Sequence, residues 1–307
     1  MYEGILGIKK PIFGLDIGLK TMKIVQVSGS GPKAQLVGTI DVDIPEHCIT
    51  KDGVSEKEKI AEILKQAVLA VKPGKIDAKI VASALPESLV FTKSLDLPKM
   101  TASELKKNIP FQMTEFFPIP PEETYIDWQV VGTAPDGTME VLVVAAPKVL
   151  VNSIMETIKL AGFDLMGLET KPIAVTRALF PTKEKGPILL VDIGAKSSAI
   201  TCFDEGTIKL TSTLTLGGDK IAEKVEDGVQ LLANEANHLI KYYQNRLSQA
   251  QLFKKIILAG GGANIKQIPE IMERITKIKT EIGQPIIKVN NYDPKFAAAI
   301  GLAMKDI

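Results

Sequence analysis

Two short stretches, Phe13-Gly14-Leu15-Asp16-Ile17-Gly18 and Leu190-Val191-Asp192-Ile193-Gly194, repeat one pattern about a domain length apart. Each is an apolar run that reaches Asp-x-Gly, and each continues through a short turn into a second strand-like segment. A chain whose halves share such an element is predicted to be duplicated. The repeat therefore predicts two related domains that face each other across a cleft.

The repeated turn is chemically suited to phosphate groups. Its glycine lets the backbone approach a ligand closely, and the following N–H groups form a nest for an anion. Two such turns on opposite walls of a cleft would clamp a di- or triphosphate. Asp16 and Asp192 would hold Mg²⁺ through water, because a divalent cation offsets the repulsion between carboxylates and phosphates.

A glycine run follows the apolar strand Ile256-Ile257-Leu258-Ala259. Gly260, Gly261 and Gly262 remove side chains at a point where a flat ring or a ribose would lie against the backbone. A crowded turn between a strand and a helix is the other interpretation of this run.

Composition limits the class of protein. The 307 residues suggest about two domains, and 45% apolar with 24% charged residues is ordinary for a soluble globular chain. The net charge of +1 gives no overall attraction to nucleic acid or anionic lipid. Cys48 and Cys202 form no CxxC pair, which fits a reducing compartment. No stretch approaches the ~20 apolar residues of a membrane helix, so we expect a cytoplasmic protein that reaches the membrane only through partners.

The three motifs together resemble those of the actin-like ATPase superfamily. The resemblance implies an α/β fold in which duplicated actin-like (ribonuclease H-like) domains flank a cleft that binds ATP and Mg²⁺. It also implies the nucleotide-binding residues, which are Asp16, Gly18, Leu19, Lys20, Thr21, Lys23, Asp192, Gly194, Ala195, Lys196, Ser197, Ser198, Gly217, Gly218, Glu235, His238, Gly260, Gly261 and Gly262. For Lys23, and for the Glu235 and His238 pair, a solvent-facing position is the alternative.

A second resemblance covers nearly the whole chain and rests on the segment 110–132, which runs from a helix into an aromatic and proline-rich stretch. This segment resembles the PilM family of type IV pilus assembly proteins, as does the segment 149–179. The resemblance implies a first half at 1–180 with an inserted subdomain at about 98–162, and a second half at 187–307. A polar linker, 181–187, would join them.

The same family resemblance implies partners. The protein would bind the N-terminal cytoplasmic peptide of the inner-membrane protein PilN, together with other pilus inner-membrane assembly proteins, and self-association is a further option. Phe111, Phe116 and Phe117 would either line the peptide groove or pack in the core.

Catalysis is expected to be slow at most. Glu169 precedes a helix at a position where superfamily ATPases often orient water, although it would equally serve to cap that helix. Bound nucleotide would then bias the angle between the halves. The alternatives are an FtsA-like filament-forming cell-division ATPase, a small-molecule kinase and the cytoplasmic part of a secretion protein such as GspL.

Overall fold

The computed structural model describes residues 11–29, 34–133, 136–181, 186–246 and 252–305. The strands are β1 (Ile12–Ile17), β2 (Thr21–Ser28), β3 (Gln35–Asp43), β4 (Ile49–Thr50), β5 (Gly53–Val54), β6 (Lys72–Pro73), β7 (Ile80–Leu85), β8 (Phe91–Leu97), β9 (Thr124–Thr133), β10 (Met139–Pro147), β11 (Asp164–Thr170), β12 (Ile188–Ile193), β13 (Ser198–Asp204), β14 (Thr207–Leu214), β15 (Ile256–Ala259) and β16 (Thr280–Ile282). The helices are α1 (Lys57–Ala70), α2 (Ala102–Met113), α3 (Lys148–Leu160), α4 (Lys171–Leu179), α5 (Gly218–Glu223), α6 (Val225–Arg246), α7 (Ile268–Thr276) and α8 (Ala297–Ala303). Each helix in the described ranges is too short or too polar to cross a lipid bilayer.

Two sheets share one strand order. The first runs β11-β7-β1-β2-β3-β6 and the second runs β16-β15-β12-β13-β14. In each sheet the strand with the Asp-x-Gly motif pairs antiparallel with the next strand of its hairpin and parallel with a later strand on its other side. The predicted duplicated α/β architecture is confirmed by this shared topology.

The two motif strands are central and almost fully buried, as expected for nearly continuous apolar runs. Helices α1 and α3 cover one face of the first sheet, and α6 and α7 cover one face of the second. Helices α4 and α8 pack with β2 and β12 in a shared apolar cluster, so they lie between the sheets. This arrangement brings the ends of β1 and β12 to one cleft.

A third sheet, of order β8-β10-β9, packs against α2 around its own apolar core. Its first strand begins at Phe91, before the predicted subdomain start at about 98. Helix α3, predicted to belong to the subdomain, instead packs with α1 in the core of the first sheet. The division into halves at 1–180 and 187–307 stays a prediction, and residues 182–185 of the predicted linker lie outside the described residues.

Candidate functional site

The two Asp-x-Gly turns have the same backbone geometry. In the first, the Gly18 N–H donates to the Thr21 carbonyl at 2.9 Å, and in the second, the Gly194 N–H donates to the Ser197 carbonyl at 2.9 Å. Each turn closes an antiparallel hairpin directly after a central buried strand. The sequence repeat is therefore a repeat of local structure, with an acidic side chain at the carboxyl end of each strand.

Both turns line one cavity of about 400 Å³, which lies within the usual size range of small-molecule sites. The structure brings most of the predicted nucleotide-binding residues to its walls, namely Asp16, Gly18, Leu19, Lys20, Thr21, Lys23, Asp192, Gly194, Ala195, Lys196, Ser197, Gly218, Gly260, Gly261 and Gly262. The assignment of these residues to nucleotide binding stays a prediction.

Two other residues that were predicted to bind nucleotide lie directly behind the second turn. Ser198 is buried and its hydroxyl donates to the Leu216 carbonyl at 2.6 Å. Gly217 is the N-cap of α5, and the Gly218 N–H donates to the Gly194 carbonyl at 2.7 Å. These bonds hold the start of α5 against the turn, so Ser198 and Gly217 shape the cavity from outside it.

The structure contradicts the predicted catalytic role of Glu169. Its carboxylate accepts from Arg177 Nη1 at 2.6 Å and from Nη2 at 3.0 Å, and Lys305 Nζ lies 3.1 Å away. The side chain is buried and does not line the cavity. Because both oxygens already have cationic partners, Glu169 ties the end of β11 to α4 and to the segment after α8.

Glu235 and His238 also lie away from the cavity, contrary to the prediction. They line a separate hollow between β8 and β14, where the Ser212 hydroxyl donates to Glu235 Oε1 at 2.6 Å. Glu235 thus faces β14, whereas the His238 side chain is 75% exposed, as the solvent-facing alternative predicts, and neither residue lines the cavity.

Sequence reasoning missed several charged residues on the cavity wall, namely Asp41, Glu87, Lys171, Asp219 and Lys295. Asp219, in the first turn of α5, lies 3.2 Å from Lys20 Nζ and 3.1 Å from Lys196 Nζ. Burial alone would raise the pKa of Asp219, but hydrogen bonds from these two ammonium groups and their positive charges together outweigh burial and lower it. The lysines of both turns, which stand at matching positions after their aspartates, therefore converge on one carboxylate.

Lys23 and Lys295 meet at a second carboxylate. Lys295 Nζ lies 3.2 Å from Asp41 Oδ2, and Lys23 Nζ lies 3.9 Å from Asp41 Oδ1. Lys23 also donates to the Thr21 hydroxyl. Lys23 thus points along the cavity wall and not into bulk solvent.

The most buried charges surround Lys171, the first residue of α4. Lys171 Nζ lies 2.7 Å from Asp16 Oδ1. Burial alone would lower the pKa of Lys171, but attraction from Asp16, Asp192 and Glu87 outweighs burial and raises it. Burial raises the pKa of Asp192, and burial together with the nearby Asp192 charge raises the pKa of Glu87 to about 8, against the opposing effect of Lys171. The raised pKa favours the protonated, uncharged form of Glu87 at neutral pH.

A topological signal could have found Glu87 and Lys171. Strands β7 and β11 run parallel in the first sheet, with β7 beside β1. Glu87 follows β7 by two residues and Lys171 follows β11 directly. Ligand sites of such sheets lie beyond the carboxyl ends of the parallel strands, so this rule would have pointed to the first polar residues after these strands.

A divalent cation would have to compete with an ammonium group for the Asp16 carboxylate of this cavity. Asp16 already has an ammonium partner, and the described residues contain no group of three or more His, Cys, Asp or Glu side chains placed to hold a metal. The predicted metal-holding residues, Asp16 and Asp192, do line the same cavity as Lys171, which contacts Asp16 and is attracted by the charge of Asp192.

Comparisons with known proteins agree on the fold. The family model described as type IV pilus assembly protein PilM matches residues 14–245. The solved PilM-PilN type IV pilus biogenesis complex superposes with a TM-score of 0.80 at 21% identity, covering 96% of this chain and 98% of that one. MreB5 of Spiroplasma citri, bound to AMPPNP, gives a TM-score of 0.52 at 11% identity, covering 97% of this chain and 96% of that one.

The cell division protein FtsA of Bacillus subtilis (strain 168) is 20% identical over 281 residues, which are 82% of this chain and 62% of that protein. The chain thus spans less than two thirds of the length of this relative. The predicted actin-like ATPase fold is confirmed by these similarities.

Proposed function

This chain belongs to the type IV pilus assembly protein PilM family, and from that premise we propose that it is an ATP-binding adaptor of the pilus assembly machinery. It binds the N-terminal cytoplasmic peptide of a PilN-type membrane protein, and such partners keep it at the inner face of the cell membrane. The observation that carries the proposal is the pair of matched turns that line one cavity between two sheets of the same strand order.

Phosphate binding is supported by the groups at the turns. Lys20 and Lys196 place an ammonium group on each side of the cavity, and both now share the single carboxylate of Asp219. A bound triphosphate offers these lysines several oxygens in place of one carboxylate, which favours exchange of partners. The bound AMPPNP of the MreB5 neighbour also supports a nucleotide as the ligand.

We propose that the protein hydrolyses its bound ATP slowly at most. The acid expected to orient water, Glu169, is held by Arg177 and Lys305 outside the cavity. Hydrolysis needs a positioned water as well as a phosphate clamp. We therefore assign the nucleotide a regulatory role, in which it biases the arrangement of the two halves.

Removal of both turn lysines tests ATP binding. The double variant Lys20→Ala/Lys196→Ala is expected to lower ATP affinity at least about tenfold, about 1.4 kcal/mol, because two charge-assisted contacts are lost. Asp219 would also lose both partners and would then repel the phosphates. Isothermal titration calorimetry measures the change.

The matched control is Lys65→Ala/Lys241→Ala, which removes the same charge from exposed positions on α1 and α6. The control should bind ATP as the wild type does. Equal affinity of the two double variants would contradict the proposed phosphate site.

The aromatic residues of the third sheet region support a peptide surface. Phe117 is 7% exposed and its ring packs edge-on against Phe91, which assigns it to the core. Phe111 is 75% exposed and Phe116 is 45% exposed, with Lys93 Nζ 4.5 Å from the centre of the Phe116 ring. We propose that Phe111 and Phe116 contact the PilN-type peptide.

Phe111→Ser/Phe116→Ser is expected to weaken capture of that peptide at least about tenfold, since exposed aromatic anchors contribute much of the energy of peptide contacts. Fluorescence anisotropy with a labelled N-terminal PilN peptide measures the affinity, with and without ATP. Leu69→Ser is the control, because Leu69 is 78% exposed on α1, a helix of the first sheet's core. A similar loss in the control, or no loss in the double variant, would exclude this surface.

A further inference from the structure

The Lys171 ammonium lies at the centre of the acidic part of the cavity. It is 2.7 Å from Asp16 Oδ1, and the Asp16 side chain is almost fully buried. Asp192, from the opposite turn, and Glu87 also attract it. One cation thus offsets the charge of the two motif carboxylates, which would otherwise repel each other and any phosphate.

The fold fixes this cation in place. Lys171 begins α4 directly after β11, and Pro172 follows it in the first turn of the helix. Helix α4 packs against α8 in the cluster between the sheets. The ammonium is therefore a built part of the cavity wall, unlike a long side chain on the surface.

The charge balance shows what the ammonium does. Asp16 and Asp192, one from each turn, are the motif carboxylates whose charge attracts Lys171, and Asp16 is in direct contact with it. A buried carboxylate requires a partner that offsets its charge. A divalent cation and a fixed lysine both meet that requirement, and the two exclude each other when they need the same oxygen of Asp16.

We propose that the Lys171 ammonium takes the charge-neutralising position of a divalent cation between Asp16 and Asp192, so that this cavity binds nucleotide phosphates without a divalent metal. This inference rests on the proposed function for the identity of the ligand. It replaces the Mg²⁺ that the duplicated turns predict from sequence alone.

Calorimetry with ATP in EDTA and with ATP in Mg²⁺ tests the inference. For the wild type, the two dissociation constants are expected to agree within about threefold. Lys171→Met removes the ammonium and keeps an unbranched side chain, and its affinity in EDTA is expected to be at least about tenfold weaker than in Mg²⁺. A tenfold or larger loss of ATP affinity by the wild type in EDTA would overturn the inference. Equal ATP affinity of Lys171→Met in EDTA and in Mg²⁺ would overturn it as well.

A second variant guards against a folding defect. Lys171→Met leaves Asp16 buried without its partner, so Asp16→Asn/Lys171→Met removes both charges at once. This double variant restores the charge balance of the wild type. Its dissociation constants for ATP in EDTA and in Mg²⁺ are therefore expected to agree within about threefold. If the double variant bound ATP ten or more times more weakly in EDTA than in Mg²⁺, the charge-balance argument would be contradicted.

Metal binding without nucleotide separates this inference from the proposed function. Mn²⁺ titration followed by electron paramagnetic resonance should show no stoichiometric site in the wild type and one site in Lys171→Met. Failure of the wild type to bind ATP in either buffer would reject the proposed ligand, and the Mn²⁺ result would still decide the role of Lys171. One Mn²⁺ bound per wild-type chain would overturn the proposed role of Lys171.

Discussion

Gly260→Ala is expected to destabilise the protein by about 3 kcal/mol or more and to abolish ATP binding, because backbone strain and a steric clash add together. Gly260 has φ 79° and ψ 167°, a backbone region that is essentially restricted to glycine. A Cβ atom there would lie 2.7 Å from the carbonyl carbon of Ile193 and closer still to Asp192 Oδ1. Both neighbours belong to the second Asp-x-Gly motif, so the substitution would displace the turn that lines the cavity.

Gly261→Ala provides a matched control one residue away. A Cβ atom at Gly261 would meet Lys295 Cβ at 3.6 Å, an ordinary contact, and its backbone is not in the left-handed region. This variant is expected to change the free energy of unfolding by less than about 1 kcal/mol. Urea denaturation and calorimetry with ATP compare the two proteins, and equal stability of both would show that Gly260 is not under the constraint described.

The stability of the wild type is expected to fall with rising pH relative to Glu87→Gln. The pKa of Glu87 is about 8 in the folded state and 4.5 as its ordinary value. Because the folded state holds the proton more tightly, this stabilisation is complete below about pH 4.5 and is lost as pH rises toward 8. The loss is up to about 1.4 kcal/mol for each pH unit in that window.

The amide in Glu87→Gln does not titrate and keeps the shape of the protonated acid. This variant therefore serves as the reference for the titration of Glu87 in the wild type. Free energies of unfolding from urea titrations between pH 5 and pH 9 give the difference between the two proteins. The free energy of unfolding of the wild type should fall relative to that of Glu87→Gln up to about pH 8, and the difference should then stay constant. A difference that stays constant over the whole range would mean that Glu87 is ionised in the folded protein.

The local features of the fold and of the cavity were predictable from sequence. The apolar runs before Asp16 and Asp192 predict buried strands, and the Asp-x-Gly spacing predicts the turns that follow them. The glycine run at 260–262 is also a local pattern, and the resemblance to actin-like ATPases is what predicts that it belongs to the same site. All three motifs meet at one cavity in the structure.

Tertiary structure alone decided which charges face each other. Glu169 and Lys171 are two residues apart, yet Glu169 is held by Arg177 and Lys305, while Lys171 reaches Asp16. The direction of each side chain follows from the parallel pairing of β11 with β7 and of β7 with β1, strands that are far apart in the chain. Residue periodicity and turn residues carry no information on that pairing.

What the sequence determined by itself was therefore the duplicated α/β architecture and the two acidic turns, because strands and turns depend on neighbouring residues. Only the tertiary structure placed Glu87 and Lys171 beside Asp16, and turned Glu235 away toward β14. The physical reason is that electrostatic partners are chosen by distance in space, and the carboxyl ends of separate parallel strands become neighbours only when the sheet has formed.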